Sequence, residues 1–326
     1  MKRQQFVRSL LAIACAGALM HALPAAAQKY PDRPVRIIVP FAVGGPADVF
    51  ARFIAQRLPD QVGGTFVVEN RPGAGAVIGT DQVAKSAPDG YTLLLMSNTQ
   101  TVNETLLQNK PYDLLRDFVG VAPINYSDLV LVAHPSAGIG NIQELLQKAK
   151  AHPGKLTYAS SGTGTPYHMA GELFKAMSDT KILHIPYRGS SAARTDVLGG
   201  QVDLMFDAVT TMTEHIKAGK VKAIATTGTK RSAVLPDVPT VSESGVKGYE
   251  ATIWLGLMAP KGTPPAIVNR LNEAVSKIVR EPDLQQNWAR QGAVPLVMNP
   301  QEFDKYLRAD VQKWAKVIKT ANIKAD

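Results

Sequence analysis

The chain has 326 residues, with 36 Lys and Arg against 27 Asp and Glu, a formal net charge of +9 and a single cysteine. Cys15 lies in the N-terminal apolar segment, so the rest of the chain has no disulfide, no thiolate metal site and no cysteine nucleophile. Basic residues are scattered among acidic ones without a basic run or an aromatic-interleaved stripe, which argues against nucleic acid and leaves a mild preference for small anions.

Lys2, Arg3 and Arg8 precede an apolar run from Leu10 to Leu23, and Ala25-Ala26-Ala27 supplies a small-residue cleavage site. Residues 1–27 are therefore expected to be a cleaved secretory signal. The run is short beside the about 20 apolar residues of a membrane-spanning helix, and no second apolar span follows. Ala12, three residues before Cys15, does not suit a lipid-bearing cysteine. Loss of the three basic residues lowers the net charge to +6, and the remaining length suits two domains.

Strand and helix signals then alternate, the pattern of an α/β chain with parallel strands. A strand over Arg36 to Phe41 runs into Ala42-Val43-Gly44-Gly45, followed by helical spacing of Val49, Phe50, Phe53, Ile54 and Leu58. Thr65 to Glu69 is a second strand. The turn-rich Asn70 to Gly75 leads to a helix through Val77, Ile78, Val83 and Ala84, and Pro88-Asp89-Gly90 turns into a strand over Tyr91 to Met96. Residues Gly120 to Ile124 and Asp128 to Ala133 read as extended chain leaving the first lobe.

The second series comprises helix Ile142 to Ala149, strand Leu156 to Ala159, helix His168 to Met177, strand Ile182 to Tyr187, helix Ala192 to Leu198 and strand Val202 to Asp207. Val221 to Thr226 is a further strand, and Arg231 to Thr240 is too proline-broken for a core element. Trp254 to Ala259 returns to the first lobe. Thr263-Pro264-Pro265, with its capping hydroxyl, opens a helix through Ile267, Leu271, Val275 and Ile278, and a last helix spans Gln301 to Thr320.

Two of these junctions stand out as anion cradles. Ala42 to Gly45 and Ser160-Ser161-Gly162-Thr163-Gly164-Thr165 each join a strand to a helix through glycines, which allow close backbone approach, and the first-turn N–H groups with the helix dipole favour negative charge. The pair suggests one small acid held from both sides.

The order and spacing of several short motifs resemble the tripartite tricarboxylate transporter substrate-binding proteins, also called Bug receptors. These motifs are Tyr30-Pro31-Asp32-Arg33-Pro34, Gly44-Gly45-Pro46-Ala47-Asp48, Val68 to Gly75, Ala87 to Tyr91, Pro111-Tyr112-Asp113, Ala159 to Gly162, Pro186-Tyr187-Arg188-Gly189-Ser190, Gly199 to Asp203 and Leu235 to Thr240. The resemblance covers essentially the whole chain beyond the leader. It implies a two-lobed type II periplasmic-binding-protein-like α/β fold, each lobe a mainly parallel sheet flanked by helices, with two crossing hinge strands. Lobe 1 is expected over 28–130 plus 251–326 and lobe 2 over 131–250.

The same resemblance implies a periplasmic receptor that closes on a small mono- or dicarboxylate, aliphatic or aromatic, and delivers it to a membrane permease. It places Phe41, Ala42, Gly44 and Gly45 in one half of the site, and Ser160, Ser161, Gly162, Thr163, Gly164, Thr165 and His168 in the other. Val43 stands where the family commonly has proline, and Arg188 where lysine is common. On chemistry alone, Arg188 either pairs with a second carboxylate or is solvated. Asp207 orients a loop or reads a ligand donor, His168 donates or packs, and Phe41 stacks or supports the wall. Asn98 is a hydrogen-bonding candidate at a strand end. Asp48 supports its own helix start or meets a ligand ammonium.

No G-x-S-x-G elbow surrounds Ser160 or Ser161, no H-E-x-x-H or P-loop occurs, and Gly73 to Gly79 misses the dinucleotide fingerprint by one residue. A non-enzymatic monomer without cofactor or metal is expected. Its partner is a tripartite tricarboxylate permease or, alternatively, a sensor kinase to which the receptor presents its ligand. A hydrolase remains the rival class.

Overall fold

The computed structural model describes residues 30–325; the expected leader and Cys15 lie outside them. Val35–Val39 (β1) reads VRIIV and is buried along nearly all its length, as a strand covered on both faces should be. Pro46–Val62 (α1), Phe66–Asn70 (β2), Val77–Ala84 (α2), Thr92–Ser97 (β3) and Asn98–Leu106 (α3) follow. β1 pairs in parallel with β2 on one side and β3 on the other, a spatial order of 2-1-3.

After the short Leu114–Asp117 (α4) comes the 16-residue strand Phe118–Ala133 (β4), then Ile142–Ala151 (α5). The first plan then repeats as Thr157–Ser160 (β5), Pro166–Ser178 (α6), Leu183–Pro186 (β6), Ser190–Leu198 (α7), Leu204–Ala208 (β7) and Val209–Lys217 (α8). β5 pairs in parallel with β6 and β7, in the order 6-5-7. Both units share one β-α-β-α-β-α plan. In each, strand order reverses beside the first strand, the place where open α/β sheets offer a crevice.

Lys222–Thr226 (β8), Thr252–Pro260 (β9), Pro265–Ile278 (α9), Pro282–Gln291 (α10), Ala293–Pro295 (β10) and Pro300–Thr320 (α11) complete the chain. β9 lies antiparallel between β3 and β4, and β4 changes partners along its length. Phe118 to Asp128 run beside β9, whereas Leu129 to Ala133 pair with β7. Every antiparallel pair involves β4 or β9. The parallel strands expected in each lobe therefore flank two crossing strands, which join the ten strands of the described residues into one hydrogen-bonded sheet.

Helices cover both faces. In the first unit Phe50, Ile54 and Leu58 of α1 pack with Leu271 and Val275 of α9, and Trp288 of α10 meets Phe50 edge-on at 5.0 Å. Phe303 and Leu307 of α11 cover the opposite face with Val83 of α2. In the second unit Leu145 of α5 and Phe174 of α6 cover one face, and Val197 of α7 and Met212 of α8 the other.

Some elements escape the sequence pattern for identifiable reasons. α3 buries Asn98, Thr99, Gln100, Thr101 and Asn103, so no apolar stripe marks it. α8 begins with β-branched residues, and α10 buries only Leu284 and Trp288. Thr263 does not cap α9; its hydroxyl donates to the Pro260 carbonyl at 2.8 Å, and Pro264 holds the N-cap position. Val49, expected on the buried face of α1, is exposed.

Asp128 sits where β4 changes partners, and its carboxylate packs against Gly228. Burial, and then the nearby Glu250 charge, push its pKa up to about 6. A carboxyl raised in the folded state makes ionisation unfavourable to folding, and that penalty is relieved as pH falls through 6 toward the ordinary value. Urea unfolding of the wild type should therefore gain stability relative to Asp128→Asn between pH 7 and pH 5. A constant difference between the two proteins across that window would contradict this assignment.

Candidate functional site

β1 and β5 each run through a glycine-containing loop into a helix that starts with proline, Pro46 in α1 and Pro166 in α6. Proline fits there because first-turn N–H groups have no carbonyl partner one turn earlier. β2 and β6 lead likewise through Gly73-Ala74-Gly75-Ala76 into α2 and through Gly189 into α7. None of these four helix starts carries a side-chain cap, and their N-cap residues, Gly45, Ala76, Thr165 and Gly189, all line one cavity of about 160 Å³. α3 also begins at this cavity, but Ser97 and Gln100 close its start with a capping box. The positive ends of four helix dipoles, two from each unit, therefore converge on one space.

The walls are mostly apolar, with Phe41, Pro72, Tyr187 and Ile253 prominent, and Ser161, Thr165 and Ser190 add hydroxyls. Arg188 is the one charged side chain in the lining and makes no ion pair among the described residues. The Tyr187 hydroxyl donates to Asp196 at 2.6 Å, and burial together with that carboxylate pushes its pKa up to about 12. With no carboxylate in the lining, the cavity favours an anion. Its volume is below the about 300 Å³ at which drug-sized sites begin, so it has room only for a small molecule.

The two units meet over the cavity. Ser191 Oγ donates to the Val43 carbonyl at 3.0 Å. A Cβ on Gly189 would lie 2.5 Å from Ala42 Cβ, and one on Gly75 would lie 2.8 Å from the Thr163 carbonyl oxygen. Both glycines have positive φ as well, so approach and backbone conformation impose the same residue.

Of the residues singled out in the sequence, Phe41, Ala42, Gly45, Ser161, Gly162, Thr165 and Arg188 line the cavity. The others lie outside the lining, and most of their polar groups are engaged by protein, the buried Asn98 Oδ1 excepted. The Gly44 N–H donates to Asp48 Oδ2 at 3.0 Å. Ser160 Oγ accepts from the Gly162 N–H and lies 2.6 Å from His184 Nε2. His168 packs: its Nδ1 accepts from the Gly164 N–H at 3.2 Å and its ring lies 4.3 Å from that of His184. Thr163 and Gly164 form the contact with the first unit, Gly164 approaching Asn103 of α3.

Asn98 is buried and donates to the Thr252 carbonyl at 2.9 Å, tying α3 to β9. Asp207, fully buried, accepts from Arg194 Nε at 2.7 Å and from the Ala208 N–H, so it orients a helix pair from behind the cavity. Asp48 supports its own helix start, bound by the Gly44 amide and Arg52, and is not in the lining. The loop before α2 is the main omission, and in the loop before α7 the sequence points to Arg188 but not to Tyr187, Gly189 or Ser190. Each loop had the same strand–glycine–helix signal that marked the other two, in Gly73-Ala74-Gly75 and in Gly189-Ser190. Among the described residues no group of three His, Cys, Asp or Glu could hold a metal ion, and no helix is long and apolar enough to cross a membrane.

Residues 50–323 match the family model described as tripartite tricarboxylate transporter family receptor. The chain is 39% identical over 305 residues to the protein BugT of Bordetella pertussis, covering 93% of this chain and 94% of that protein. Among solved structures it is similar to the periplasmic binding protein BugD, with 38% identity, TM-score 0.87 and coverage of 91% of this chain and all of BugD. It is also similar to R. palustris Rpa4515 with adipate, with 34% identity, TM-score 0.88 and the same coverage. BugD is described as a periplasmic binding protein, and the matching family as one of transporter receptors rather than enzymes. On fold, extent and identity, the chain belongs to the tripartite tricarboxylate transporter receptor family.

Proposed function

We propose that the protein is a periplasmic solute-binding receptor that takes one small carboxylate per monomer into this cavity and delivers it to a tripartite tricarboxylate-type permease. The observation that carries this reading is the convergence of four helix starts without side-chain caps on one cavity with no acidic lining. The adipate bound by the R. palustris relative supports a carboxylate guest, and the description of BugD as periplasmic supports the compartment.

Hydrogen bonds to a charged group contribute about 1.5–3 kcal/mol each, whereas micromolar affinity requires about −8 kcal/mol beyond the costs of association. One helix start is insufficient, and donors from both units are needed. Closure therefore belongs to binding: residues 28–130 with 251–326 act as one lobe and 131–250 as the other, hinged on the crossing strands. Arg188, at the only charged position in the lining, pairs with a second acidic group when the ligand has one.

Calorimetry against a panel of small carboxylates should give one-to-one binding, with X-ray scattering showing a smaller radius of gyration on saturation. Absence of binding across the panel, or an unchanged scattering profile, would count against the reading. Gly45 has an ordinary φ of −84°, and a Cβ there would lie 3.0 Å from Ser190 Oγ on the other unit. Gly45→Val should thus fold normally yet lose about 1–3 kcal/mol of binding through overpacking at closure; wild-type affinity would place the guest elsewhere. Arg188→Met should weaken adipate about tenfold and leave hexanoate unaffected. Equal losses for both acids would make Arg188 part of the wall alone.

A further inference from the structure

We propose that Asp48 and Arg52, neither of which lines the cavity, are positioning residues: Asp48 presets the first unit's anion-binding turn, and Arg52 cancels the acidic charge that Asp48 places beside it. The inference rests on the carboxylate reading above. The turn from Phe41 to Gly44 is pinned at both ends from outside the cavity. Gly44 N–H donates to Asp48 Oδ2 at 3.0 Å, Arg52 Nε donates to Asp48 Oδ1 at 2.9 Å, and Arg52 Nη2 donates to Asn70 Oδ1 at 2.9 Å. Asn70 Nδ2 then donates to the Phe41 carbonyl at 3.1 Å, closing the circuit. The turn needs no ligand to hold its shape, and a preset site loses less freedom on binding.

The charges carry the second half of the inference. Asp48 is nearly fully buried one residue beyond Ala47, which lines the cavity. Burial raises its pKa, but the Gly44 amide and the Arg52 guanidinium outweigh burial and hold the carboxyl below its ordinary range. An ionised carboxylate here occupies the same helix dipole as the anionic guest and would repel it. Arg52, at i+4 on α1, is the counter-charge that makes the two compatible. Asp48 takes the amide of Gly44, outside the helix, and leaves the first-turn amides beyond Pro46 to the guest.

The test is calorimetry with adipate on the full protein. Arg52→Gln, which strands the Asp48 charge, should weaken binding about fivefold or more at low salt, with the loss shrinking as salt screens the repulsion. The double variant Asp48→Asn with Arg52→Gln keeps hydrogen-bonding groups without either charge and should return to within about twofold of wild type. Unchanged affinity in Arg52→Gln, or a double variant no tighter than the single one, would overturn the charge role. Amide exchange tests the clamp without ligand: Gly44 should exchange slowly in the wild type and fast in Asp48→Ala. Fast Gly44 exchange in a wild type that still binds adipate overturns the clamp alone. Slow exchange in a wild type that binds no carboxylate in the panel overturns the receptor reading, and the charge role with it.

Discussion

Backbone N–H groups at a helix start must find an acceptor, and in this protein four such starts face the same cavity without a side chain to satisfy them. A buried donor left unpaired costs about 1–3 kcal/mol. Shutting the cavity around nothing is therefore unfavourable, and shutting it around an anion with several acceptor oxygens is favourable. Under the proposed function, ligand capture and closure would be one event, because the guest would supply what the closed state lacks.

The architecture makes this possible by repetition. The units ordered 2-1-3 and 6-5-7 each present the starts of their first two helices at the C-terminal ends of their strands, and they face one another across the cavity. β4 belongs to both units, pairing with β9 up to Asp128 and with β7 from Leu129. Any relative movement of the units would have to act on that short crossing, where Thr227 also ties Leu129 to Ala251. Gly75 and Gly189 then permit contact at the rim that any side chain would obstruct.

Much of this was legible in the sequence because the relevant signals are local. Buried parallel strands appear as apolar runs, and the cradles appear as glycine between a strand and a helix. α3 was hidden because it buries polar side chains, and α10 because only two of its positions are buried. Orientation was harder than location. Ser160, which ends β5, and Gly162 are two residues apart, yet one is tied into hydrogen bonds with its own loop and His184 and the other lines the cavity. Gly44 and Gly45 are adjacent, but Asp48 four residues on takes the Gly44 amide. The loop before α2 had the right pattern, as did Gly189 and Ser190 beside the predicted Arg188, but only the three-dimensional meeting of β2 and β6 ends with those of β1 and β5 reveals that they share the cavity.

The most direct measurement is the crystal structure of the protein with whichever panel carboxylate binds most tightly. The account predicts one carboxylate group within hydrogen-bonding distance of first-turn amides from at least one helix of each unit, among α1, α2, α6 and α7. A carboxylate held by one unit alone, or by Arg188 without any helix-start amide, would contradict it.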